Sequence, residues 1–212
     1  MIKIKTFVFN PFQENTYLLY DETGEAVIID PGCSTQDEEE ILVSFIEENN
    51  IKLKHLLNTH SHIDHILGNQ FVSEQFKLPL ASHKEDEFLI RNAKEQGATF
   101  GIRIDNPPLP GKYLNEGMHI HFGNSVLDII HSPGHSPGSL VFYNKNEKFM
   151  IVGDVLFNQS IGRTDLPGGS YDVLVNSITQ KLFPLGDDMN VFSGHGSPTT
   201  IGKERISNPF LS

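Results

Sequence analysis

A single cysteine, Cys33, rules out an internal disulfide and a four-cysteine structural zinc site. No apolar stretch approaches the roughly 20 residues that a bilayer-spanning helix needs. The N-terminus, MIKIKTFVFNPF, alternates from the start and lacks the apolar core of a secretion signal, so a cytoplasmic location is expected. Runs rich in lysine or arginine are also missing. Sixteen basic residues face 27 acidic ones, and the net charge of −11 argues against a nucleic-acid partner. No membrane partner is expected, and the oligomeric state is left open. There is no low-complexity tract and no evident repeat.

What remains is an ordinary globular composition, 38% apolar and 20% charged over 212 residues, which suits one domain spanning residues 1–212. Residues 2–9, 16–20 and 25–30 read as strands, with a turn at Thr23-Gly24. A helix follows, capped by Ser34 or Thr35 and running to about Asn49. Ile41, Leu42, Phe45 and Ile46 lie on one face of it. The acidic run QDEEE, residues 36–40, is its first turn, where carboxylates meet the positive end of the dipole. LKHLLN, residues 53–58, is a buried strand. Helical periodicity returns through Ile66, Phe71, Val72 and Phe76, and again over about 83–96. Residues 98–117, with Pro107, Pro108 and Pro110, form an irregular loop. Strands follow at 119–122, 125–131, 139–144 and 148–153. A helix at 171–183, a last strand at 191–195 and a short tail complete the chain. Two blocks of strands, each with helices, imply two sheets packed face to face with helices outside.

One stretch stands apart. NTHSHIDHILGN, residues 58–69, packs His60, His62, Asp64 and His65 into six positions. Three further loops each follow a strand and carry one metal-ligand type: His135 in HSPGHSPGS, Asp154 in IVGDVLF and His195 in VFSGHGSP. Imidazole nitrogen and carboxylate oxygen suit zinc, and iron or manganese as well. Seven ligands exceed the needs of one tetrahedral ion. They match two ions sharing a carboxylate and a water, an arrangement that makes hydroxide near neutral pH.

The T-H-x-H-x-D-H run, followed by single His, Asp and His in glycine-rich settings, resembles the metallo-β-lactamase superfamily over nearly the whole chain, including PFQENTYLL and VIIDPG. The resemblance implies an α/β fold, an αββα sandwich of two mixed sheets with the site at one edge. It implies a first ion on His60, His62 and His135, a second on Asp64, His65 and His195, and Asp154 bridging them. Asp64 would also orient the hydroxide, and Asp30 would orient a ligand histidine from behind.

Within the superfamily, FNQSIGRTDLPGGS (157–170) and GHGSPTTIGKERISNPF (194–210) resemble small hydrolases of the hydroxyacylglutathione hydrolase, or glyoxalase II, type. The implied function is cleavage of a small thioester such as S-lactoylglutathione with two zinc ions or a zinc, iron and manganese mixture. The expected departures are no helical glutathione-binding domain after the core, Gly162-Arg163-Thr164-Asp165 where the family has G-K-F-Y, and Gly194-His195-Gly196-Ser197 where it has G-H-E-Y. Arg163 keeps the basic position and is a candidate to pair with a substrate carboxylate, the alternative being an internal salt bridge with Asp165. The alternative is a persulfide dioxygenase using one iron, because that group also carries G-R-T-D. A degenerate binding member is disfavoured by the intact ligand set. His55, His83, His119, His121 and His131 are read as structural, Cys33 as uninvolved, and Phe12, Phe157 and Tyr143 as core packing.

Overall fold

Strand runs that are apolar on both faces need cover on both sides, and this requirement shapes the molecule. The computed structural model describes residues 1–104 and 107–211. Asp105 and Asn106, inside the 98–117 loop, and Ser212 at the end of the tail lie outside the described residues.

The first sheet holds β1 (Lys3–Phe9), β2 (Glu14–Tyr20), β3 (Glu25–Ile29), β4 (Lys52–Leu57), β5 (Leu80–Ser82) and β6 (Lys112–Tyr113) in that order. β1 to β3 are antiparallel neighbours; β3 to β6 run parallel. The second sheet takes β7 (His119–Phe122), β8 (Ser125–His131), β9 (Leu140–Asn144), β10 (Phe149–Gly153), β13 (Asn190–Ser193) and β14 (Thr199–Thr200), with β10 and β13 parallel. Between them in sequence, β11 (Leu156–Phe157) and β12 (Ser160–Ile161) form a small hairpin.

Alternation along the strands sorts the core into three layers. Leu19, Val27, Ile29 and Leu57 of the first sheet meet Phe122, Leu127, Ile129, Phe142 and Ile151 of the second. The opposite face of the first sheet, Leu18, Ile28 and Leu56, packs under Leu42 and Ile46 of α1 (Gln36–Glu48), Ile66 of α2 (Ile63–Ile66) and Val72 of α3 (Asn69–Phe76). Beyond these come α4 (Glu87–Arg91) and α5 (Ala93–Thr99). The outer face of the second sheet, Val141, Met150, Val152 and Val191, packs under Leu174 of α6 (Tyr171–Ser177) and Ile201 of α7 (Ile201–Ser207). The result is the αββα order expected. Among the described residues no helix is long and apolar enough to cross a membrane.

Thr35, not Ser34, caps α1. Its hydroxyl accepts from the Glu38 N–H, and the Glu38 carboxylate returns to the Thr35 N–H, a complete capping box. The structure departs from the periodicity in four places. The 83–96 segment is three short pieces: a tight turn at Lys84–Asp86, then α4 and α5 parted at Asn92. The 171–183 helix widens after Ser177 into a π turn and a 3₁₀ turn at Phe183–Leu185, where Pro184 stops it. Strands of two or three residues (β5, β6, β11, β12, β14) carry no periodic signal. The tail holds α7, capped by the Thr200 hydroxyl.

Thr35→Ala is expected to cost about 1 kcal/mol, or about 2–4 °C in Tm for a chain of this size. Thermal unfolding of the two proteins checks it.

Candidate metal centre

The seven candidate ligands are brought together by strand ends. β4 leads into His60, His62, Asp64 and His65; β10 ends at Gly153 before Asp154; β13 ends at Ser193 before His195. The loop after β8 delivers His135. Gly153 has φ +53°, and a Cβ there would lie 2.2 Å from the Thr59 hydroxyl, so only glycine lets the two ligand loops approach.

Four of the five candidate histidines are held from the far side of the ring. The His135 Nδ1–H donates to the Arg163 carbonyl at 2.8 Å. The His195 Nδ1–H donates to the Phe12 carbonyl at 3.1 Å. The His65 Nδ1–H donates to Asp30 Oδ2 at 3.0 Å. Thr59 donates its hydroxyl proton to the same carboxylate and accepts from His60 Nδ1 at 3.1 Å. Carbonyl and carboxylate oxygens only accept, so each of these four rings carries a proton on Nδ1 and turns Nε2 inward.

The inward atoms crowd. His135 Nε2 lies 3.1 Å from His60 Nε2 and 2.8 Å from His62 Nδ1. One proton on His62 Nδ1 satisfies the shorter contact and leaves the other as two lone pairs face to face. His62 Nε2, His65 Nε2 and Asp154 Oδ1 are buried without a hydrogen-bond partner, the last two 3.4 Å apart. Burial first, then the surrounding imidazoles, push His60 well below its usual pKa and His62 to about 3, so both stay neutral donors. This donor set fits cations. His60, His62 and His135 form one group able to hold an ion, and Asp64, His65 and His195 form another. Asp154 stands between the two groups, Oδ2 being 3.6 Å from His135 Nε2 and 3.7 Å from His195 Nε2.

A cleft of about 560 Å³ opens over this floor, walled by Phe12, Ile63, Leu89, Phe100, Leu166 and Pro167. Phe12, read from sequence as core, lines it and meets Phe100 edge-on with centroids 5.8 Å apart. Tyr143 packs against the core and Phe157 lies 6.3 Å from His195. Arg163 also lines the cleft, but its fork is bonded to both Asp165 oxygens, each at 2.7 Å. The cation is met inside the chain.

The remaining histidines serve the backbone or the surface. His55 Nε2 contacts the His121 carbonyl and His119 pairs with Asp128. His83 and His131 stack at 4.2 Å near Glu85, but His83 Nδ1 accepts from the Glu85 N–H and His131 Nε2 donates to the Pro137 carbonyl. Cys33 is buried, and burial pushes its thiol up, away from reactivity. Two buried carboxylates beside the candidate ligands escaped the sequence reading. Glu14 lies 3.9 Å from His65 Nδ1, and Asp86 is described below.

The family model of the metallo-beta-lactamase superfamily matches residues 9–195. The chain belongs to this superfamily. A hydroxyacylglutathione hydrolase, GloC of Haemophilus influenzae, is 40% identical over 100% of this chain and 99% of its own. A crystal structure of the BLEG-1 B3 metallo-beta-lactamase is 36% identical, with a TM-score of 0.89 over 99% of this chain and 100% of that one. TTHA1623 in a di-iron-bound form is 37% identical, with a TM-score of 0.88 over 98% and 100%. The superfamily fold and the donor geometry agree on metal-dependent hydrolysis as the class of chemistry.

Chelation is expected to strip bound metal and lower Tm, and zinc to restore it, because an ion held by the folded state alone stabilises it. Scanning calorimetry with EDTA and with added zinc checks this. His135→Ala and Asp154→Ala are each expected to lower metal content, measured by atomic emission.

Proposed function

We propose that the protein is a thioester hydrolase of the hydroxyacylglutathione type, with two zinc ions or a zinc, iron and manganese mixture as cofactor. The observation that carries this reading is the pair of ligand groups sharing Asp154 at the floor of a largely apolar cleft. Ions bound there supply an acidified water and polarise a carbonyl oxygen.

The chain's own residues do the rest. Phe12, Phe100, Leu89 and Leu166 take the apolar part of the substrate and exclude bulk water. Burial opposes ionisation of Asp64, but the imidazoles of His65 and His195 outweigh it and hold its carboxyl below the usual range. Asp64 therefore meets the attacking water as an acceptor, and orients it. A thiolate leaves with little acid assistance because thiols are far more acidic than alcohols. In this reading residues 1–212 form one domain that holds every ligand and wall of the site. The protein works in the cytoplasm on a small molecule, with no nucleic-acid or membrane partner.

The glutathione end is the open feature of this cleft. Asp165 is spent on Arg163, and Ser197 accepts from Asn158 at 3.2 Å. An anionic substrate must displace Asp165 from the guanidinium. The pair is exposed and screened by solvent, so the exchange is accessible. Asp165→Ala is expected to lower KM for S-lactoylglutathione by up to about fivefold, and Arg163→Ala to raise it.

Turnover of S-lactoylglutathione by metal-replete protein, followed as loss of thioester absorbance, tests the reading. Rapid hydrolysis that a chelator abolishes supports it. Oxygen uptake with glutathione persulfide, and no hydrolysis, would replace it with the one-iron dioxygenase suggested by Gly162-Arg163-Thr164-Asp165. That alternative leaves the second ligand group without a purpose.

A further inference from the structure

Asp86 ends the turn before α4 and is wholly buried. Its Oδ2 accepts from the Ser61 N–H at 3.1 Å and from the Ser136 hydroxyl at 2.8 Å. Its Oδ1 accepts from the Gly138 N–H at 2.6 Å. Ser61 sits between His60 and His62, and Ser136 follows His135. The three donors thus belong to the two separate loops that carry the three-histidine group. A Cβ on Gly138 would lie 2.7 Å from the Asp86 carboxyl carbon, so the close approach requires glycine there. No ion pair among the described residues neutralises the carboxylate. Burial pushes it up to about 6 against these three hydrogen bonds. A buried carboxylate this costly is bonded to both ligand loops and touches no ligand itself.

We infer that Asp86 is a positioning residue that clamps the His60/His62 loop to the His135 loop and so sets the spacing of the three-histidine metal site, leaving the Asp64/His65/His195 site to other supports. The second site has its own: Asp30 behind His65 and the Phe12 carbonyl behind His195. Asp86 reaches neither. The inference rests on reading both groups as metal sites and is independent of the substrate.

Zinc titration against a chromophoric chelator tests it, with two backgrounds separating the sites. His195→Ala leaves the three-histidine group intact, and His60→Ala leaves the other group. Asp86→Asn keeps the shape but turns an amide N–H toward a backbone N–H or hydroxyl donor. In the His195→Ala background it is expected to weaken zinc binding by about 10–100-fold, the usual cost of losing a support behind metal ligands. In the His60→Ala background affinity is expected to hold within about twofold. Equal loss in both backgrounds with a lower metal-free Tm would reduce Asp86 to a fold residue and overturn the inference, as would no loss in either. Should Asp86→Asn fail to fold, Ser136→Ala removes one donor from the clamp; it is expected to weaken the three-histidine site alone, and unchanged affinity overturns the inference. Absence of zinc binding in both backgrounds would remove the metal sites and the clamp with them. A failure to hydrolyse thioesters would leave this result untouched.

Discussion

Every inward-facing imidazole nitrogen of the candidate centre whose direction is fixed owes it to a hydrogen bond on the opposite side of the ring. Imidazole has one proton and one lone pair when neutral, and whatever takes the proton aims the lone pair. Asp30, the Thr59 hydroxyl and two backbone carbonyls do this for four of the five candidate histidines. The rest of the structure serves to keep those acceptors in place. Asp30 itself sits at φ +51° at the end of β3, a conformation that a β-branched residue would resist, and its carboxylate also accepts from the Thr59 backbone N–H and the Asn58 side-chain amide.

The fold explains how acceptors and ligands from distant sequence reach one place. Parallel pairing of β3 with β4 and of β10 with β13 puts four strand ends on the same edge of the sandwich. The strands are locked by apolar contacts on both faces, so their ends do not drift. The loops beyond them carry chemistry on a rigid frame. The cost is a concentration of buried polar groups around the site. The structure meets most of it with paired networks, Asn58 bonded to Asp30, His65 and Asn69 being one.

The candidate ligand set was legible because His60 to His65 and the glycine-flanked His135, Asp154 and His195 are rare residue types in a fixed order. The layer order was legible because apolar period and run length separate strands from helices. Of the supports, Asp30 was legible, and it does stand behind His65; the others were not. The Phe12 and Arg163 carbonyls are main-chain atoms, which no residue type announces. Asp86 lies in KEDE, where it looks like any acidic helix start, and only the third dimension brings Ser61 and Gly138 to it. The cleft wall was hidden for another reason. Leu89, Gln96, Thr99 and Phe100 lie on or just after short helices whose apolar positions read as ordinary core. For Arg163 the residue type left two readings open, an anion site and an internal pair with Asp165, and the structure shows the pair.

The central claim is that these seven side chains hold two ions beside one cleft. Anomalous diffraction from a crystal of the zinc-loaded protein measures it directly. The account predicts two peaks about 3.5–4 Å apart, one against His60, His62 and His135, the other against Asp64, His65 and His195, with Asp154 reaching both. A single peak at full occupancy, or zinc bound away from these residues, would contradict it.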